Sequence, residues 1–255
     1  MMRRIPWFRW LFYKTKAEDQ GHLILPTSKQ IKAWRKANRK MAWGIREEEF
    51  HRLDVPPPLT EHDQNQGLSG VALFYGFGDD GFGNADPVLS GRLAWEYARK
   101  RKRRETWQCE YIDFDRSDDI RLRPGAPARP KGFYFAKLQP GKKYQTVSVS
   151  QARKCFDKET GCGPEGFQFL VITHPHFQRL MDDRKISFMA FADYDVAPYG
   201  FNDFFDAAQM FCSLGTLGLG IGHVERNYPS FGIPTLRFAR LLQSSNITTR
   251  ASNGG

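Results

Sequence analysis

The chain has 255 residues, enough to bury one large hydrophobic core, and its 40% apolar and 26% charged residues are typical of a globular protein. Its net charge of +10 favours a polyanionic partner such as RNA or DNA, with a solvated basic surface as the alternative. Four cysteines are too few for a disulfide scaffold, and no run of about 18 apolar residues provides a transmembrane segment. We therefore expect a cytoplasmic protein with reduced thiols.

The first 21 residues are predicted to form a basic, aromatic arm outside the globular domain. They join cations such as Arg4 to aromatic residues such as Trp7 but lack the apolar core and cleavage site of a secretory signal. A membrane-surface helix would also combine these residue types, but Pro6 interrupts the helical pattern. We expect the arm to pack on the body of the protein rather than make a peripheral membrane contact.

Residues 28–49 are predicted to form a basic helix. Apolar residues recur along it at helical spacing, and Thr27 or Ser28 can cap its first turn. The intervening positions carry the cations predicted to contact nucleic-acid phosphates, which are Lys32, Arg35, Lys36, Arg39 and Lys40. An ordinary solvated helix face would show the same pattern.

A second basic segment closes the next predicted helix. A proline-rich linker over 54–68 and a strand over 71–75 lead to this helix, which Asp86 opens and which runs over about 88–104. It ends in consecutive cations that form the second part of the predicted nucleic-acid surface, namely Arg99, Lys100, Arg101, Lys102, Arg103 and Arg104. The helix dipole favours cations at a C-terminus but does not require so many, and a solvated run is the alternative.

The middle of the chain is rich in predicted strands. They lie over 107–114, 133–138 and 144–149, and Ser150 is expected to cap a short helix after them. Further strands are predicted over 186–192 and 217–221, with a helix between them that Asn202 or Asp203 caps. The last residues, 243–255, are expected to form a disordered tail, so that a single mixed domain spans 22–242.

Polar residues gather where apolar segments end in the C-terminal half. These groups are His174 with His176, Asp193 with Asp195, and His223 with Glu225. The apolar segment before the first group, 167–173, fits either a strand or a helix. As a strand it would make 167–223 a βαβαβ unit, and the polar groups would meet where such folds bind ligands. The fold class is therefore α+β or α/β.

Histidines combined with a carboxylate suit a divalent metal that activates water. The predicted metal ligands are His174, His176, Asp193 and His223. Asp193 and Asp195 are also catalytic candidates, and Cys162 is a third because a following helix N-terminus would lower its pKa. Polar residues at the ends of elements are equally well explained as caps.

Three functions follow from these patterns. The favoured one is a basic, nucleic-acid-associated binding protein that uses the two cationic segments. The first alternative is a metal-dependent, hydrolase-like enzyme that uses the histidine and aspartate group. The second is a structural or partner-binding protein with no catalytic activity.

Overall fold

A computed structural model describes residues 24–101, 105–109, 112, 114, 120–145, 147–156, 158–178, 188–196, 206–213, 216–223 and 231–238. Helices and mostly antiparallel strands are mixed along this part of the chain, which places the fold in the α+β class. No described helix is both long enough and apolar enough to span a membrane. The predicted arm (1–21) and tail (243–255) lie outside the described residues.

The elements follow one another in a mixed order. The described helices are α1 (Thr27–Met41), α2 (Glu47–His51), α3 (Glu61–Asn65), α4 (Pro87–Arg99), α5 (Val149–Lys154) and α6 (Pro164–Gln168), and a π-helical turn (Phe169–Thr173) continues α6. The described strands are β1 (Gly70–Gly76), β2 (Glu105–Gln108), β3 (Ile120–Leu122), β4 (Gly132–Gln139), β5 (Thr160–Gly161), β6 (Phe188–Val196), β7 (Asp206–Ser213), β8 (Thr216–His223), β9 (Phe231–Gly232) and β10 (Thr235–Phe238).

The first sheet is antiparallel and has the strand order β1-β4-β10-β5. Two glutamine side chains form hydrogen bonds with the backbone groups at the outer edge of β1. Gln30 of α1 donates to the Val71 carbonyl at 2.9 Å and accepts from the Leu73 amide at 2.7 Å. Gln168 of α6 does the same for Tyr75, accepting from its amide at 3.0 Å and donating to its carbonyl at 2.7 Å. The unpaired backbone groups of an open strand edge can pair with a further strand, and these glutamine side chains occupy them instead. The same hydrogen bonds hold α1 and α6 beside β1.

The second sheet has the strand order β2-β8-β7-β6-β3, and β9 also pairs with β6. Its centre is an antiparallel meander of β6, β7 and β8, whereas β2 runs parallel to β8. The segment 167–173 is helical, because Pro164 and Glu165 begin a helix that the π-helical turn extends. The helix expected between the last two strands is instead β7, in which Ala208 and Met210 alternate into the core. The prediction of a βαβαβ unit over 167–223 is therefore wrong.

One large cluster of buried side chains joins α1, α4, α6 and both sheets. Trp34 and Ala37 of α1 and Trp95 of α4 are at most 2% exposed within it. Burying one large apolar side chain stabilises a fold by about 1.5–3 kcal/mol, so these residues fix which face of each helix is inside. The remaining face of α1 is left to solvent.

Three of the sequence-based boundaries need correction. The helix predicted over 28–49 is split, because Ala42 turns left-handed at φ 53° and Gly44 follows at φ 77°, so α1 ends before them and α2 begins later. The second helix ends at Arg99, inside the cationic run. The strand predicted over 144–149 is wrong, since Ser148, not Ser150, accepts from the Gln151 amide and starts α5.

Four other predicted strands are confirmed in position. Those at 71–75, 133–138 and 217–221 are β1, β4 and β8, and the one at 186–192 is β6, which is shifted toward the C-terminus. The strand predicted over 107–114 is largely wrong, because β2 ends at Gln108 and the described residues at 109, 112 and 114 are not in a strand. Alternation and β-branched or aromatic content were sufficient signals for the four confirmed strands.

Candidate functional site

A bulge in β6 turns Asp193 out of the regular strand pairing. The register of β6 against β7 shifts between Phe191 and Asp195. Within the bulge, the Asp193 amide donates to the Cys162 carbonyl at 3.0 Å, and the Asp193 carbonyl accepts from the Arg123 amide at 2.8 Å. The bulge thus ties β6 to the segment before α6 and aims the Asp193 side chain at groups from other elements.

Arg129 is the centre of a buried network of charges. Its guanidinium donates to Glu165 at 2.7 Å and to Asp193 at 3.0 Å, and these three side chains are at most 1% exposed. The Tyr134 hydroxyl donates to Glu165 at 2.8 Å, and the Thr160 hydroxyl donates to Asp193. We call these five residues the Arg129 network.

One cation and two carboxylates are buried together in this network. Burial alone would lower the pKa of Arg129, but the charges of Glu165 and Asp193 outweigh it and raise that pKa. Arg123, which is partly exposed, adds a second cation 3.3 Å from Asp193. Breaking such a pair leaves an uncompensated buried charge, so the network holds the fold together and offers no open position to a substrate.

The remaining catalytic candidates lie beside this network. Asp195 pairs with Arg153 at 2.6 Å and is almost fully buried. Burial, reinforced by the charge of Glu165, raises the pKa of the Cys162 thiol well above its ordinary value. This is the reverse of the lowered pKa expected from the sequence, and a protonated thiol is a poor nucleophile.

His174 is a buried, neutral histidine with both ring nitrogens hydrogen-bonded. Its Nε2 accepts from the Leu25 amide at 2.9 Å, so Nδ1 carries the proton and donates to the Thr173 hydroxyl at 2.8 Å. Burial, helped by the neighbouring His176, lowers the pKa of His174 to about 3. The ring stacks on Phe169 with centroids 4.3 Å apart. These contacts anchor the chain before α1 to the π-helical turn.

The metal prediction gains no support from these positions. His176 lies beside His174, with ring centroids 5.6 Å apart, whereas both carboxylate oxygens of Asp193 are held by arginines. The backbone of His223 is at the end of β8, and its side chain lies outside the described residues. Within the described part of the chain, no three His, Cys, Asp or Glu side chains are grouped to hold a metal ion. The metal site stays a prediction.

The cationic residues of α1 divide into two sets. Arg35 turns toward the protein, where it pairs with Glu47 and lies 5.1 Å from the centre of the Phe50 ring. The others point to solvent and follow one helix face at spacings of three and four residues. These exposed cations are Lys29, Lys32, Lys36, Arg39 and Lys40.

The C-terminal ends of α1 and α4 meet. Lys40 donates its ammonium to the Lys100 carbonyl at 2.5 Å, and the same ammonium lies 5.6 Å from the centre of the Tyr97 ring. Arg99 and Lys100 are exposed at this junction, whereas Arg101 donates to the Val171 carbonyl at 3.1 Å. Lys102, Arg103 and Arg104 lie outside the described residues. We define the basic ridge as Lys29, Lys32, Lys36, Arg39, Lys40, Arg99 and Lys100.

Charge on the ridge is not compensated in the way that it is inside the protein. In the part of the chain that the structure describes, Lys29, Lys32, Lys36 and Arg39 form no ion pair. Like charges three or four residues apart on a helix cost about 0.2–0.5 kcal/mol per pair. The fold bears this repulsion along α1, so the ridge is a surface of concentrated positive charge.

A cleft of about 770 Å³ opens elsewhere, between the segment after α2 and the first sheet. Phe133, Phe135 and Phe238 contribute aromatic surface, and Arg52 and Asp54 bring opposite charges to its lining. The cleft adjoins the Arg129 network, because Tyr134 of the network is part of its lining and the ring centre of Phe238 lies 5.4 Å from the Arg129 guanidinium carbon. Its balanced charges select no particular ligand.

Sequence reasoning found the ridge but missed the Arg129 network. The ridge was visible because cations and apolar residues alternate at helical spacing. Arg129 gave no such signal, because its burial depends on Glu165 and Asp193, which are 36 and 64 positions further along the chain.

Comparison with protein-family models, curated proteins and solved structures finds no match. The site must therefore be interpreted from its own chemistry.

Proposed function

We propose that this protein binds RNA or DNA through phosphate contacts made by the basic ridge. The observation that carries the proposal is the junction of α1 and α4, where Lys40 contacts Lys100. Two cationic segments that are 60 positions apart in the chain thereby form one surface. A solvated basic face has no need for such convergence, whereas a polyanion gains from every added cation.

The dimensions of the ridge support the same function. From Lys29 to Lys40, α1 rises about 17 Å at 1.5 Å per residue. One strand of a duplex carries about five phosphates over that length. Because the Trp34 face of α1 is buried, the cations are held in place and lose little backbone freedom on binding. Contacts of this kind position a nucleic acid without reading its sequence.

Charge reversal on the ridge tests the proposal. We expect the double variant Lys32→Glu, Lys36→Glu to weaken binding of a fluorescein-labelled oligonucleotide at least tenfold, measured by fluorescence anisotropy at low salt. The reason is that two phosphate contacts become repulsions. Thermal unfolding should be almost unchanged, because both side chains are exposed.

A matched variant separates the ridge from the overall charge. Lys142→Glu, Lys154→Glu has the same net charge but changes two exposed lysines outside the ridge. We expect it to bind within about threefold of the parent, because steering by net charge is weak compared with direct contacts. Equal losses in the two variants, or no salt-dependent binding by the parent, would refute the proposal.

A further inference from the structure

Two large apolar side chains of this protein are almost fully exposed. Phe82 is 90% and Val55 is 88% exposed, whereas the next most exposed large hydrophobic side chain among the described residues, Trp107, is 49% exposed. A single exposed apolar residue is ordinary on a protein surface. Val55 lines the cleft beside the first sheet, so the position of Phe82 relative to that cleft decides whether the two side chains belong to one surface.

The loop between β1 and α4 carries Phe82 and is attached to the wall of the cleft. Asp79 forms an ion pair with Lys131, which lines the cleft. On the other side of the loop, the Ala85 amide donates to the Arg129 carbonyl at 2.8 Å, two positions before Lys131. Phe82 is three residues from each of these anchors, which limits its backbone to about 11 Å from either one. Phe82 and the cleft therefore belong to one continuous surface.

Hydrogen bonds within the loop hold the backbone around Phe82 in one conformation. The Asp80 carboxylate accepts from the amides of Phe82 and Asn84 at 2.8 and 3.0 Å, and from the Asn84 side chain at 3.0 Å. The Asp79 carboxylate accepts from the Gly81 amide at 2.8 Å. A group that is already held in place loses little conformational entropy when a partner binds it. The loop thus presents one aromatic ring to solvent next to an aromatic cleft.

The charges around the cleft suit a second copy of the same surface. The chain has a net charge of +10, so two copies repel each other over most of their surfaces. Here both signs are present, because Arg52 of the lining and Asp80 of the loop are exposed and have no ion-pair partner among the described residues. A ligand of one sign gains nothing from such a mixture. A second copy gains twice, since two-fold symmetry repeats every pair of Arg52 with Asp80.

We propose that this protein forms a two-fold symmetric homodimer in which Phe82 of each protomer inserts into the cleft of its partner. The cleft has a volume of about 770 Å³, and its aromatic lining includes Phe133 and Phe135. In a two-fold dimer one patch serves both protomers, so the inserted ring and the cleft that receives it must lie on the same surface, as they do here. Aromatic anchors that fill a pocket typically contribute most of the binding energy of an interface. The dimer does not depend on the basic ridge.

Sedimentation equilibrium of the nucleic-acid-free protein, between about 1 and about 300 µM in about 0.15 M salt, tests the inference. We expect the parent to approach twice the monomer mass with a Kd of about 10–100 µM, because the patch is smaller than that of a permanent dimer. Phe82→Ala should raise the Kd at least about a hundredfold and stay monomeric, since each dimer loses two buried rings. Trp107→Ala is the matched control and should leave the Kd unchanged, because this exposed aromatic residue belongs to the second sheet.

A variant on the cleft side tests whether the ring and the cleft meet. Val55→Asp places a carboxylate in the lining of the cleft and should also be monomeric. Mixed in equal amounts, Phe82→Ala and Val55→Asp regain one of the two contacts, because the ring of one variant meets the unchanged cleft of the other. The mixture should therefore associate about tenfold more tightly than either variant alone.

Four results would overturn the proposed dimer. The first is a parent that stays monomeric over the whole range, and the second is Phe82→Ala that associates as tightly as the parent. Masses that grow beyond two protomers would contradict two-fold symmetry, because head-to-tail insertion does not close. A mixture that associates no better than its components would show that the ring and the cleft do not meet. Thermal unfolding of both variants should match that of the parent at about 1 µM, since both side chains are exposed, so that lost association reports on the interface.

Discussion

The Arg129 network and the basic ridge use the same types of charged side chain in opposite ways. Inside the protein, Glu165 and Asp193 lie 2.7 and 3.0 Å from Arg129, and Arg123 supplies a second cation to Asp193. Arg129 and both carboxylates are buried. On α1, by contrast, Lys32 and Lys36 are exposed and have no ion-pair partner among the described residues. Matched buried charge fixes a structure, whereas unmatched surface charge is available to a partner.

This contrast reassigns the residues that looked reactive in the sequence. Asp193 and Asp195 each bond to arginine, and His174 bonds to the backbone before α1. The polar groups of these three side chains therefore already have hydrogen-bond partners inside the protein. Lys29, Lys32, Lys36 and Arg39 of the basic ridge, by contrast, have no ion-pair partner among the described residues.

The largest expected effect comes from a substitution in the Arg129 network. We expect Arg129→Met to lower the free energy of unfolding by about 3–5 kcal/mol, measured by urea denaturation, because it leaves two buried carboxylates without their shared cation. Arg52→Ala removes an exposed arginine as a control and should change stability by less than about 0.5 kcal/mol. Similar stabilities for the two variants would show that the Arg129 network does not hold the fold together.

A smaller effect is the pH dependence of the unfolding free energy that the buried His174 causes. The pKa of His174 is about 3 in the folded protein against an ordinary value of 6.5, so the unfolded chain takes up a proton that the folded protein rejects. The stabilising contribution is complete above pH 6.5, falls as the pH drops below that value, and is fully lost near pH 3. At pH 5 the loss is about 2 kcal/mol.

A neutral replacement isolates this contribution. His174→Gln keeps an acceptor for the Leu25 amide but does not titrate. Between pH 7.5 and pH 5, the parent should therefore lose about 2 kcal/mol more unfolding free energy than the variant does. All other titrating groups are common to both proteins. Parallel losses in the two proteins would show that His174 is not held neutral by the fold.

The sequence predicts those parts of the fold that have a local cause. The ridge, β1 and β4 follow from periodicity, and the start of α4 follows from Asp86, whose side chain accepts from the Leu89 amide at 3.0 Å. The break after α1 also has a local signal, the glycine at position 44. The prediction of one helix over 28–49 gave more weight to the apolar residues that recur at helical spacing on both sides of this glycine. These elements form for reasons contained within about fifteen residues.

The rest depends on residues that are distant in the chain. Gln30 lies in a basic helix and gives no sign that it completes the edge of β1, because its partner Leu73 is 43 positions away. β7 was interpreted as a helix because Asn202 or Asp203 suggested a cap, whereas pairing with β6 and β8 decides its conformation. The Arg129 network likewise exists only once α6 and β6 are in contact with the loop before β4.

The salt dependence of binding tests the central claim most directly. If all seven ridge cations contact the phosphates of a single strand, the plot of log affinity against log salt concentration should have a slope of about −5 for the parent. Lys32→Glu, Lys36→Glu should reduce that slope by about 1.4, while Lys142→Glu, Lys154→Glu should leave it unchanged. A flat plot for the parent, or the same slope for the ridge variant as for the parent, would contradict the assignment of the basic ridge as a nucleic-acid-binding surface.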